Sequence, residues 1–187
     1  MSNVLTSNQD YTALFDYIAK VSPDIVVLQE IDGLWAEQLR SLAADYPFQL
    51  IEPRNDNFGI ALLSRIAPKP ATTISLGSAG LPSIWAEFSM PSGNFTLLAT
   101  HPLPPINTQY YQYRNEQLQA AAKHLSMQRG PKILVGDLNI TPFSSEYRDL
   151  ESSSGLTNTR YGFGYLATWP AGLRVLQIPI DHVVMSD

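Results

Sequence analysis

The chain has 187 residues, 44% of them hydrophobic, which is ordinary globular composition and enough length for one domain with its own core. It has no cysteine, so disulfides, thiolate metal sites and cysteine nucleophiles are excluded. The formal net charge is −5 and the longest basic grouping is a loose scatter through Arg114, Lys123, Arg129 and Lys132, which argues against strong non-specific DNA binding through phosphates.

"SNVLTSNQD" starts almost inside a strand. The spacing of "YTALFDYIAKV" predicts a helix with Leu14, Phe15, Ile18 and, at its end, Val21 on one face, capped by Asn8 or Asp10. "PDIVVLQE" is a continuous apolar run, as expected of a strand buried on both faces. "LWAEQLRSLAADY" returns to helical spacing through Leu34, Trp35, Gln38 and Leu42. "FQLIEP", "GIALLSR", "ATTISL" and "SIWAEFSM" read as strands separated by Gly, Pro and Asn turns, and "PSGN" as a hairpin into the strand "FTLLATH". "QYYQYRNEQLQAAAKHLSMQ" is the longest helix, with His124 on its surface; "KILVGDLN" is another buried strand. "SSSGLTNTRYGFGYLATWPAG" reads as a long surface loop, and "LQIPIDHVVMS" as a final strand. Helices alternate with strands early and late, with consecutive strands between them. One α/β domain of two packed sheets flanked by helices is expected over residues 1–187. No apolar run approaches the roughly 20 residues of a membrane span, so no transmembrane segment is expected and the chain reads as soluble.

Several dry strands run into polar residues. Ile25 to Leu28 lead to Gln29 and Glu30, Phe95 to Thr100 lead to His101, Ile133 to Val135 lead to Asp137 and Asn139, and Ile178 to Ile180 lead to Asp181. In open α/β sheets, ligand sites gather beyond the carboxyl ends of strands. Asp137 and Asn139 are two apart, which on a strand places them on one face, with Gly136 allowing close approach. A carboxylate can take a proton from water while an amide holds the water or a phosphate oxygen. Glu30 adds a hard oxygen, and the set suits Mg²⁺. Singly, each residue has a plainer reading. Glu30 could serve a helix dipole, Asp137 a turn or cap, and His101 a loop. The coincidence of so many polar strand ends favours one shared pocket.

"NV" near the start, "PDIVVLQE", "GIALLSR", "LLATH", "ILVGDLN" and "IDHVVMS" occur in an order that resembles the endonuclease/exonuclease/phosphatase, or DNase I-like, superfamily over nearly the whole chain. The ending "TWPAG…IPIDHV" is most similar to bacterial members with small, often membrane-attached, domains. The resemblance implies a four-layer α/β/β/α sandwich and Mg²⁺-dependent phosphate-ester hydrolysis, with Mn²⁺ as a substitute. It implies Glu30 and Asn3 as metal-site residues, His101 as a phosphate contact, Asp137 as the residue that orients or deprotonates water, Asn139 as its amide partner, and Asp181 as the orienter of a catalytic histidine. That histidine lies in a later "SDH" motif of the family, whereas this chain ends in "MSD". His182 is a poor substitute, because neighbours on a strand point to opposite faces. The expectation is a chain truncated at both ends and lacking the terminal strand or strands.

Two functions follow. One is a phosphoesterase acting on nucleic acid, a lipid head group or a small molecule. The other is a catalytically impaired fragment or a binding domain that retains the fold. Tyr161, Phe163, Tyr165 and Trp169 in the late loop either stack on a ligand or anchor the loop to the core.

Overall fold

The computed structural model describes residues 1–171 and 174–186. Gly172, the last residue of the expected late loop, and the terminal Asp187 lie outside the described residues. Among the described residues, ten strands form two sheets. The first contains β1 (Ser2–Asn3), β2 (Ile25–Gln29), β3 (Phe48–Glu52) and β4 (Ile60–Ser64), in the order β1-β2-β4-β3. The second contains β5 (Ala71–Ser75), β6 (Pro82–Met90), β7 (Gly93–Thr100), β8 (Lys132–Asp137), β9 (Thr157–Asn158) and β10 (Asp181–Met185), in the order β5-β6-β7-β8-β10-β9. Helices α1 (Tyr11–Val21) and α2 (Gly33–Arg40) cover the first sheet; α3 (Thr108–Ser126) and α4 (Ser145–Ser154) cover the second.

The four layers follow from strand alternation. In β2, Val26 and Leu28 face α1 and α2, whereas Val27 faces the other sheet. In β4, Ala61 and Leu63 take the helix side and Ile60 and Leu62 the inter-sheet side. In β8, Leu134 meets α3 and α4 while Val135 joins the inter-sheet core. Apolar runs rather than alternating patterns are therefore required, since both faces of these strands are dry. The result is an α/β/β/α sandwich with three apolar layers.

Local chemistry sets the helix bounds. Asp10 caps α1 by accepting from the Ala13 N–H, and Asp32 caps α2 by accepting from the Trp35 N–H. The buried face of α2 is Trp35, Ala36 and Leu39, whereas Leu34 and Gln38 are exposed. Of the expected face, Trp35 is buried and Leu42 half-buried while Leu34 and Gln38 turn outward; Trp35 seats its ring edge-on against Tyr11 and donates its indole N–H to the Asn8 carbonyl. Val21 is exposed too. His124 is half-buried against Trp85 rather than on the surface.

One helix lies where no element was expected. Ser144 caps α4, Gly155 ends it in the left-handed region, and Tyr147 and Leu150 are its buried apolar contacts. Its three last residues take the start of the expected loop, and β9 takes two more. The four loop aromatics are all exposed, which corrects the core-anchor reading. No helix among the described residues is long and apolar enough to cross a membrane.

Candidate active site

Pairing direction brings the site residues together. β1 runs parallel to β2, and Asn3 is the register partner of Gln29, so Asn3 and Glu30 leave the first sheet side by side. β7 runs parallel to β8, so His101 and Asp137 leave the second sheet at the same end. Asp181 does not follow a strand, as the sequence suggested; it begins β10. Because β10 is antiparallel to β8, its first residue sits opposite the last residue of β8, and Asp181 pairs with Asp137.

The Asn3 amide links the two sheets at the site. The Asn3 side-chain nitrogen donates to Glu30 Oε1 at 2.8 Å and to Asp137 Oδ2 at 3.3 Å. Its oxygen accepts from the Leu5 N–H at 3.0 Å. Glu30 has a positive φ of 65° just past β2, which turns its carboxylate back over the Thr6 N–H at 3.1 Å. The expected site residues Asn3, Glu30, His101, Asp137, Asn139 and Asp181 all line one open cleft of about 1570 Å³.

Asp137 is buried, and its acidity is altered accordingly. Loss of water, then the Asp181 charge, raise its pKa to about 7, against the opposing pull of the Asn139 N–H and the Asn3 amide. His101 Nε2 lies 4.0 Å from Asp137 Oδ2. The pair is not ionic, because burial lowers the His101 pKa to about 4 and leaves the ring neutral at neutral pH. Phe58 packs against that ring with centroids 5.1 Å apart, and Nδ1 is buried with no partner among the described residues.

Asn139 reaches the site by another route than strand alternation. β8 ends at Asp137, Leu138 is fully buried, and Asn139 takes a left-handed φ of 49°. Its N–H donates to Asp137 Oδ1 at 3.0 Å, and its side-chain nitrogen donates to the Pro102 carbonyl at 2.9 Å. One N–H of the side-chain amide is therefore engaged by the backbone, and its oxygen has no hydrogen-bond partner among the described residues. His182 is buried on α4's side, Nε2 2.8 Å from the Ile140 carbonyl and its ring 4.7 Å from that of Tyr147. No hydrogen bond joins it to Asp181 among the described residues.

Two supporting residues carried weaker signals in the sequence. Gln29 was noted only as a strand end. Fully buried, it donates to the Thr100 carbonyl and accepts from the Asp137 N–H, both at 2.8 Å, and so ties β2 to the second sheet directly behind the carboxylate. Its place between a dry strand and Glu30 was the available clue. Arg114, noted only among scattered basic residues, lines the same cleft.

The sequence profile of the Endonuclease/Exonuclease/phosphatase family matches residues 2–187. No curated protein matches the chain. Among solved structures, the chain is similar to D. rerio TDP2 complexed with single-strand DNA product (TM-score 0.82, 17% identity, 99% of this chain and 81% of that one). It is also similar to the human Nocturnin catalytic domain with bound sulfate anion (TM-score 0.77, 20% identity, 100% and 81%). A third is an endonuclease/exonuclease/phosphatase from Beutenbergia cavernae DSM 12333 (TM-score 0.76, 20% identity, 98% and 62%). Identities this low speak for the fold, and the profile match over nearly every residue speaks for descent: the chain belongs to the Endonuclease/Exonuclease/phosphatase family.

Proposed function

We propose that the protein is a divalent-metal-dependent phosphoesterase that hydrolyses a phosphodiester or phosphomonoester with water, Asp137 acting as the base. The observation that supports this most is the meeting of both sheets at one acidic point, where Asn3 joins Glu30 to Asp137. Among the described residues, no three His, Asp or Glu side chains are grouped to cage a metal ion. Mg²⁺ tolerates this, since it is usually held by one or two carboxylates with waters and substrate phosphate. Glu30 with Asn3 beside it fits that donor set, and the bound ion, Mg²⁺ or Mn²⁺, would supply charge neutralisation at the phosphate.

The chain's own groups do the rest. A carboxylate with a pKa of about 7 is matched to taking a proton from water near neutral pH. The Asn139 oxygen holds that water, and neutral His101 contacts the phosphate. Asp181 raises the basicity of Asp137 through its charge. The sulfate of human Nocturnin and the DNA product of D. rerio TDP2 support a phosphate-like anion as ligand. The acidic net charge disfavours long duplex DNA.

Hydrolysis of bis-p-nitrophenyl phosphate tests the reading, with EDTA added and then excess Mg²⁺ or Mn²⁺. Turnover should stop with EDTA and return with metal. Calorimetric titration with Mn²⁺ should show binding that Glu30→Ala weakens. Binding without turnover would leave a metal-binding domain, and neither binding nor turnover would contradict the proposal outright.

A further inference from the structure

Arg114 is a buried cation without a carboxylate. It lies on α3, and the residue is only 5% exposed. Nε donates to Asn115 Oδ1 and Nη1 to the Asn139 carbonyl, each at 2.9 Å, and the guanidinium lies 5.0 Å from the centre of the Tyr111 ring. Nη2 has no hydrogen-bond partner among the described residues. The one close ion pair among those residues is Arg54 with Asp56, and the other close contact, neutral His101 with Asp137, does not involve Arg114 either, so no carboxylate is paired with Arg114. Glu146, an acid whose charge it senses, accepts from the Tyr111 hydroxyl.

A buried, unneutralised guanidinium is costly, and its fork of donors matches a phosphate or carboxylate. The cleft it lines holds Glu30, Asp137 and Asp181, which repel an incoming anion. A fixed positive charge in the same wall offsets that repulsion.

We propose that Arg114 contacts a non-bridging oxygen of the substrate phosphate through Nη2 while Nη1 holds the Asn139 carbonyl. One side chain then sets the phosphate relative to Asn139, whose N–H fixes the Asp137 carboxylate. The identity of the anion rests on the phosphoesterase reading; the anion site itself rests on the buried cation.

The test is calorimetric binding of inorganic phosphate, with Mn²⁺ present, to wild type, Arg114→Gln, Arg114→Lys and the exposed-cation control Arg129→Gln. Melting curves are recorded alongside. Arg114→Gln should weaken phosphate binding by about tenfold or more, and Arg114→Lys should recover part of it. Arg129→Gln should bind as wild type does. Without phosphate, Arg114→Gln should melt no lower than wild type, because a buried charge has been removed. If Arg114→Gln does not fold, Arg114→Lys carries the test. Wild-type affinity in the folded Arg114 variants, or no phosphate binding by wild type, overturns the proposal. Arg114-dependent binding without ester hydrolysis would sink the phosphoesterase reading and leave this site standing.

Discussion

Gly136 shows how closely the site is built at the level of single atoms. A Cβ there would lie 1.9 Å from the Thr100 carbonyl oxygen and 2.7 Å from Gln29 Nε2. Gly136→Ala must push β8 away from its neighbours, one residue before Asp137. The expected loss is about 2–3 kcal/mol, read from urea denaturation, together with reduced turnover. His182 gives a pH signature. Burial lowers its pKa to about 4, below the ordinary 6.5. Between those values the folded state binds fewer protons than the unfolded one, so its contribution to stability is full above pH 6.5 and is lost as pH falls toward 4. Replacing it by Gln removes one titrating group. Tm should then fall less steeply with acidification across that window, whatever the variant's absolute stability; an unchanged slope would count against a buried neutral imidazole.

At the scale of elements, the polar chain between the sheets connects packing to chemistry. Gln117 on α3 donates to the Thr100 hydroxyl at 2.9 Å, which lies 2.7 Å from that of Ser83. The Thr100 carbonyl holds Gln29, and Gln29 holds the Asp137 N–H. Gln29→Leu would strand a buried donor and acceptor together. The expected cost is about 2 kcal/mol or more in denaturant, with turnover lost beyond what stability explains. The sequence revealed β2, β4, β7 and β8 readily, because a strand dry on both faces leaves an unbroken apolar run. It revealed α1 through its spacing and Asp10 cap. It hid α4, whose apolar contacts are too few to show a period among its serines and charges, though Ser144 and Gly155 marked its ends. On α2 the spacing revealed Trp35 but not Leu34 and Gln38 as outward residues, because Ala36 and Leu39 share the buried side with Trp35 through contacts distant in sequence.

At the scale of the whole molecule, function depends on which strand ends meet, and pairing direction is only partly written in local sequence. Glu30, His101 and Asp137 were legible as residues at strand ends, and Asn3 only through the family resemblance. That Asp181 arrives from the start of an antiparallel strand was not, since register with β8 is a long-range fact. Nor was the inward turn of Arg114, which α3's position against the second sheet determines. Gathering like charges in one cleft is unfavourable without a counter-ion, so metal should stabilise the fold. Adding Mn²⁺ to EDTA-treated protein should raise Tm, and Glu30→Ala should reduce the rise.

The most direct measurement is metal-dependent hydrolysis of bis-p-nitrophenyl phosphate by wild type and by Asp137→Ala, each first checked for folding by its melting curve. The account predicts turnover by wild type and a loss of about a hundredfold or more in the folded variant, the scale of a general base. Equal turnover by the two proteins, or none by metal-loaded wild type, would contradict the assignment of Asp137 as the base of a phosphoesterase.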